Sequence, residues 1–301
     1  MEHALFVYDD DAELVGSAGS FLRHGVERGS ATLMVVEDRK SEVLREVLGA
    51  DGARVQLIDC DTHYTRPEAA LADYDATLRR LTHQGAESVC LFAELPRLRT
   101  SAAYARWVAY EAIVNRALAH HPVSIVCGYD TRVVPDTVVE EMQRTHPCLL
   151  GDRNAIHESP AYGEPAEVVR ALTPDPEPVA ELEPLALEGD AFTLRRRLRE
   201  RMEAASVPPA DVEEMLLAAD EALANAERHG GGVTQLRAGC VDGQFVLEIS
   251  DRGRGFDDPL AGYLPPRPDR AYGVGLWVAR QVTRRLDVIP GPDGLTVRLW
   301  I

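Results

Sequence analysis

Short apolar runs alternate with longer amphipathic stretches through the first half of the chain. Ala4–Tyr8, Thr32–Val36, Val55–Asp59, Val89–Phe92 and Val123–Cys127 are rich in Val, Ile and Leu, with continuous apolar character that suits strands covered on both faces. The intervening stretches Asp11–Arg28, Arg39–Leu48, Pro67–His83 and Ala102–His120 read as helices, and Pro135–Thr145 follows the last strand. Such alternation predicts an α/β domain on a mostly parallel sheet with flanking helices. The second half has a different order. Phe192, Leu194, Leu198, Met202 and Ala205 fall at helical spacing, and after Pro208-Pro209 a stripe of Val212, Met215, Ala219, Leu223 and Ala226 marks Asp211–His229 as a second helix. Strands Thr234–Cys240 and Phe245–Ile249 follow, joined through Asp242-Gly243, a hairpin signal. A Gly/Pro-rich stretch leads to a helix at Gly275–Leu286 and a closing strand at Leu295–Trp300. This half is expected to be an α+β two-layer sandwich, with helices on one face of a mixed or antiparallel sheet.

Charge places a boundary between the halves. The 301 residues carry a formal net charge of −17, of which −8 falls on residues 1–150, −7 on the short stretch 151–188 and −2 on residues 189–301. The middle stretch also holds Pro160, Pro165, Pro174, Pro176, Pro178 and Pro184, and is expected to be an acidic, extended linker between two domains. The acidity argues against direct binding to nucleic acid or an anionic membrane, both of which need a basic face. No apolar run approaches the ~20 residues that span a bilayer, and no secretion signal opens the chain, so a cytoplasmic protein is expected. The five cysteines (Cys60, Cys90, Cys127, Cys148, Cys240) are scattered without C-x-x-C spacing. A disulfide frame or cysteine zinc site is therefore disfavoured, and Cys60, Cys90 and Cys127 read as small buried hydrophobes.

Three elements in fixed order carry the chemistry of the second half. The first is Asp220-Glu221-Ala222-Leu223-Ala224-Asn225-Ala226, ending at His229; Glu221 and Asn225 are four apart and share a helix face. An amide oxygen there can ligate Mg²⁺, and a neighbouring carboxylate can polarise a hydroxyl or water. The second is Asp251-Arg252-Gly253-Arg254-Gly255, where a carboxylate at a strand end can accept an amino hydrogen from a base and two glycines let backbone approach a ligand. The third is Gly273-Val274-Gly275-Leu276, opening a helix whose N–H groups and dipole favour phosphate. Each alone is a common turn or solvated helix face; the order makes them informative. His229, one turn past Asn225, is either near phosphate or a plain helix-end residue. The run Arg195-Arg196-Arg197 with Arg199 and Arg201 reads as a solvated face ahead of a docking surface.

With these motifs, residues 189–301 resemble a GHKL-type (Bergerat-fold) ATPase domain, the fold shared by histidine kinases and gyrase. No phosphoacceptor His box precedes the domain, and this short form is similar to the anti-sigma-factor serine kinases of bacterial stress and sporulation switches. The resemblance implies ATP and Mg²⁺ as cofactors. Asn225 would hold Mg²⁺, Glu221 would be general base on a partner's serine hydroxyl, Asp251 would read the adenine amino group, and Gly253 and Gly255 would shape the base pocket. Gly273 and Gly275 would face the phosphates, and Thr296 on the last strand would help hold adenine. Residues between Asp257 and Tyr272, with Gly262, Pro265, Pro266 and Pro268, would form a lid with little of its own to pack.

At the strand ends of the first half sit Tyr8-Asp9-Asp10-Asp11, Glu37-Asp38, Asp59-Cys60-Asp61, Glu94 and Tyr129-Asp130, where parallel sheets bind ligands. No G-x-x-x-x-G-K-[ST] follows any strand, and the chain's single lysine is Lys40, so a phosphate-cradling loop is absent. The acidic rim suits a cation or a polar or hydrocarbon-derived effector. His3-Ala4-Leu5-Phe6-Val7-Tyr8, Cys127-Gly128-Tyr129-Asp130 and Thr145-His146-Pro147 resemble the MEDS sensory domain (methanogen/methylotroph DcmR sensory), a RecA-like relative without its nucleotide motif. That resemblance makes His3, Tyr8, Glu94, Tyr129 and His146 effector-pocket candidates. The two-part arrangement is similar to anti-sigma-factor regulators of the RsbA type. It implies a signal-responsive serine kinase acting on an anti-sigma-factor antagonist, with that antagonist or a sigma factor as partner and pairing into a homodimer. Two alternatives stay open: an ATP-binding clamp that sequesters its partner without phosphorylating it, and a sensor histidine kinase with an unusual acceptor.

Overall fold

The computed structural model describes residues 1–95, 101–151, 155–172, 179–254, 258–264, 274–291 and 294–301. The chain divides into two compact units, Met1–Val169 and Arg170–Ile301.

In the first unit, β1 (Glu2–Tyr8), β2 (Ala31–Val36), β3 (Val55–Asp59), β4 (Val89–Glu94), β5 (Val123–Asp130), β6 (Cys148–Leu150) and β7 (Ile156–Glu158) form one sheet in the order β3-β2-β4-β5-β1-β6-β7. Every pairing is parallel except β6 with β7. The helices are α1 (Asp11–Leu14), α2 (Ser20–Glu27), α3 (Asp38–Leu48), α4 (Cys60–His63), α5 (Pro67–His83), α6 (Ser101–Ala117), α7 (Asp136–Thr145) and α8 (Pro165–Ala171). The central strands are buried almost continuously, and successive residues pack on opposite faces of the sheet. Ala4, Phe6, Met34, Phe92 and Val126 pack against Leu14, Leu22, Val26, Leu44 and Leu48 on one face. Residues of opposite parity, His3, Leu91, Ile125 and Cys127, face Tyr74 of α5 and Tyr110, Glu111 and Val114 of α6 on the other.

The helix expected over Asp11–Arg28 is interrupted: a π-helical turn at Val15–Gly19 separates α1 from α2, in a stretch whose two glycines weaken helix preference. The expected linker also differs. β7 pairs with β6, and Val168 and Val169 of α8 are buried, so residues 155–169 belong to the first unit. Leu182 and Leu185 are buried in the second unit, beside β8 (Glu183–Pro184). The two- and three-residue strands are too short to show a period, which hid them in the sequence. Pro174, Pro176 and Pro178 lie outside the described residues.

The second unit adds α9 (Ala191–Ala204), α10 (Pro209–His229), β9 (Val233–Val241), β10 (Gln244–Asp251), α11 (Val274–Val282), β11 (Arg285–Gly291) and β12 (Gly294–Trp300). Its sheet is antiparallel throughout, ordered β11-β12-β10-β9-β8. Leu247, Ile249, Leu295, Val297 and Leu299 point to the helix side and meet Met202, Met215, Leu216 and Ala219. On the other side Glu248 lies between Arg298 (2.8 Å) and Arg237 (3.4 Å), a cross-strand charge row. α11 stops at Val282 instead of reaching Leu286, and Arg285–Gly291 becomes the edge strand β11, where Pro290 costs no ladder bond.

One buried group makes stability depend on pH. His63 lies against the Tyr64 and Tyr74 rings (centroids 4.8 and 4.4 Å), and its Nε2 has no hydrogen-bond partner. Burial pushes its imidazole below the usual value of 6.5. The unfolded chain therefore binds a proton that the folded one refuses, and stability present above pH 6.5 is lost as pH falls toward the depressed folded value. Thermal unfolding of His63→Phe should lose less stability than the native chain between about pH 7 and pH 5.

Candidate functional site

Glu221 and Asn225 sit one turn apart on α10, both half-buried, and the start of α11 packs onto that face. The contact is close: a Cβ at Gly275 would lie 2.6 Å from Glu221 Oε2 and 3.2 Å from Asn225 Nδ2, so the tips of both side chains would have to turn away. The structure thus brings Glu221, Asn225 and Gly275 together, as the sequence order predicts. Gly273 and Gly255 lie outside the described residues.

Asp251 closes β10 and is 9% exposed. Its Oδ1 accepts the Gly253 N–H at 2.7 Å, which orients the carboxylate and leaves Oδ2 as acceptor. A Cβ at Gly230, the C-cap of α10, would lie 2.5 Å from Oδ2, and one at Gly294 would overlap the Asp251 carbonyl oxygen. Gly230 and Gly294 are requirements that the motif reading missed; the run Gly230-Gly231-Gly232 was the available signal. Thr296 is not on this side. Its hydroxyl meets Ser250 Oγ at 2.9 Å, in register across β10 and β12 and facing away from the helices, whereas Leu295 pairs with Asp251 and is buried on the helix side. Strand alternation therefore removes Thr296 from the Asp251 face.

The expected lid also needs correction over 258–264, the part described. Leu260 is buried, Gly262 (φ +78°) presses on Leu276, and Arg280 lies 3.6 Å over the Tyr263 ring while donating to the Leu286 carbonyl at 2.9 Å. This segment is anchored on α11. The His229 side chain is exposed. The arginines of α9 are paired: Arg195 with Asp220, Arg196 with Glu200, Arg199 with Glu213 and Arg201 with Glu183, while Arg197 donates to the Ala186 and Glu188 carbonyls. They form no bare basic patch.

In the first unit the five effector candidates separate into two groups, because strand alternation sends positions 3 and 129 to one face and 8 and 94 to the other. A cavity of about 210 Å³ at the strand ends is lined by Glu37, Lys40, Cys60, Glu94, Tyr129 and Asp130, among others. Inside it Glu94 accepts from Tyr8 Oη (2.8 Å) and Lys40 Nζ (2.5 Å), and Lys40 stands 3.6 Å from Asp130, itself paired with Arg132 at 2.7 Å. Burial raises the Glu94 carboxyl above its ordinary value, only partly offset by Lys40, while Arg132 holds Asp130 below its own. Burial and the Asp61 and Asp59 carboxylates push the Cys60 thiol up to about 12, so it is no ready nucleophile. His3 and His146 lie elsewhere, ring to ring at 4.1 Å beside Glu111, which accepts from Tyr129 Oη at 3.0 Å. Lys40, Glu111 and Asn115 were missing from the sequence candidates, because a lone lysine and two helix-borne polar residues show no motif.

Residues 2–147 match the family described as MEDS, the methanogen/methylotroph, DcmR sensory domain, and residues 185–301 match the histidine kinase-like ATPase domain. The chain joins a MEDS domain to a histidine kinase-like ATPase domain. No curated protein matches it. The ATPase-domain match starts at residue 185, taking in the buried Leu185 that the expected boundary at 189 left out. No described helix is long and apolar enough to cross a membrane.

Two substitutions test these sites. Lys40→Met leaves Glu94 buried without its cation and should destabilise the MEDS domain by about 3–5 kcal/mol in denaturant unfolding, with most of the loss recovered in Lys40→Met/Glu94→Gln. Gly294→Ala forces a methyl into the Asp251 carbonyl and should cost the ATPase domain about 3 kcal/mol by the same measurement.

Proposed function

We propose that this protein is a signal-responsive serine kinase of the anti-sigma-regulator kind, with an ATPase domain that binds ATP and Mg²⁺ and phosphorylates an anti-sigma-factor antagonist. The observation that carries this reading is the contact of Glu221, Asn225 and Gly275, where the missing side chain of residue 275 leaves carboxylate and carboxamide at the mouth of α11. The donor set fits the cofactors. Asn225 supplies a carboxamide oxygen for Mg²⁺, the start of α11 supplies backbone N–H groups for phosphate, and Asp251 Oδ2 supplies an acceptor for an exocyclic amino group.

When bound, the metal neutralises charge on the phosphates, and most of the rate gain in such transfers comes from positioning and electrostatics. Glu221 takes the proton of the incoming serine hydroxyl. Asp251, fixed by the Gly253 N–H, sets the orientation of the base and hence of the phosphate chain. The effector enters the MEDS cavity around Lys40 and Glu94, and regulates only through unequal affinity for two states of the protein. In this reading the molecule works in the cytoplasm, with the antagonist or its sigma factor as partner, and pairs as a homodimer.

The test uses the full chain, radiolabelled ATP and candidate antagonist proteins. Acid-stable phosphoserine on an antagonist is the expected product. Glu221→Gln should lower transfer by about 10²–10⁴-fold while keeping ATP binding, and Asn225→Ala should lose Mg²⁺-dependent binding in calorimetry. Nucleotide binding without labelled serine would establish the clamp instead, acid-labile label on the protein itself would establish a histidine kinase, and absence of nucleotide binding would overturn all three.

A further inference from the structure

Four residues distant in sequence converge on one point in the MEDS domain. His3 comes from β1, Cys127 from β5, Glu111 from α6, and His146 follows α7; all four are buried, and one ligand atom of each lies within 4.8 Å of the other three. His3 Nε2 is 3.3 Å from Cys127 Sγ and 3.3 Å from Glu111 Oε2, which lies 3.8 Å from the sulfur and 3.7 Å from His146 Nε2.

The surrounding hydrogen bonds fix which atoms face inward. The Met142 carbonyl can only accept, so the bond of 2.7 Å to His146 Nδ1 places the ring proton on Nδ1 and leaves a bare lone pair on Nε2. That Nε2 has no hydrogen-bond partner in the interior. Asn115 donates its amide N–H to the Thr145 carbonyl at 2.7 Å, which turns Oδ1 toward His3 Nδ1 at 3.1 Å and so directs His3 Nε2 inward as an acceptor. Tyr129 Oη occupies Glu111 Oε1 at 3.0 Å, leaving Oε2 for the centre. Two imidazole lone pairs and a carboxylate oxygen thus face one another with only the Cys127 thiol proton to share. Protonating His3 would satisfy Glu111 and still leave His146 Nε2 bare against an oxygen.

We infer that this centre binds one divalent transition-metal ion of the zinc class through His3 Nε2, Glu111 Oε2, Cys127 Sγ and His146 Nε2. Tetrahedral bonds of about 2.0 Å to N and O and about 2.3 Å to S require ligand–ligand edges of roughly 3.3–3.6 Å; four of the six edges measure 3.3–3.8 Å and the other two lie within 4.8 Å. Charge also balances: a dication with one carboxylate and one thiolate is neutral, and the thiol proton leaves to solvent on binding. Asn115, Met142 and Tyr129 act as positioning groups behind the ligands. A small void of about 10 Å³ borders His3, Glu111 and Cys127.

The test is made on the full chain under reducing conditions. After loading with Zn(II) and desalting, elemental analysis should find one zinc per chain, and the Co(II)-loaded protein should show thiolate-to-cobalt charge-transfer absorption with strong four-coordinate d–d bands. Cys127→Ser should abolish the charge-transfer band, and Asn115→Leu should weaken Zn(II) in chelator competition by about 10–100-fold while preserving the cobalt spectrum. A wild-type chain that retains no zinc, a cobalt form without the sulfur band, or a band that persists in Cys127→Ser would each overturn the assignment; the first two readouts need no variant to fold.

Discussion

The second domain depends on the room taken by one aspartate. Gly230 at the end of α10, Gly253 in the following loop and Gly294 at the start of β12 all pack so tightly around Asp251 that a methyl group at any of them would meet its atoms at 3.0 Å or less. Helix, loop and closing strand are therefore brought to the same strand end by three absent side chains. Because the Asp251 carboxylate is both wedge and polar group, its orientation follows from packing, and the acceptor it presents is held without a mobile partner. At the neighbouring contact, Gly275 leaves room for the tips of Glu221 and Asn225. Preorganisation here is a property of backbone approach.

Much of this was legible from the chain. The parallel and antiparallel halves, the α10 stripe and the order of the glycine motifs all follow from periodicity and spacing, because long elements repeat their signal. The errors have a common physical origin in two-residue alternation. Thr296 and Leu295 are neighbours in sequence and opposite in direction, as are the positions that separate Tyr8 and Glu94 from His3 and Tyr129. A motif read as a string does not record which face a strand residue takes. The short strands β6, β7 and β8, and the anchoring of 258–264 by Arg280, escaped for a different reason: pairing and stacking partners distant along the chain hold them, not local pattern.

The MEDS domain spends its buried polarity in two places with different characters. Around Glu94 each buried charge has an opposite: Lys40 and Arg132 answer Glu94 and Asp130. Around Glu111 acceptors outnumber the protons available, and His146 Nε2 is left without a hydrogen-bond partner. Buried ions usually need close partners, so the first arrangement is complete as it stands and the second calls for a guest.

Lys40 is the one lysine of the chain, 8% exposed and locked between two carboxylates. Every other basic side chain apart from histidine is a guanidinium, which keeps its charge under conditions where an amine would react. Reagents and enzymes that target the lysine ε-amino group consequently find no ready handle along this polypeptide's surface.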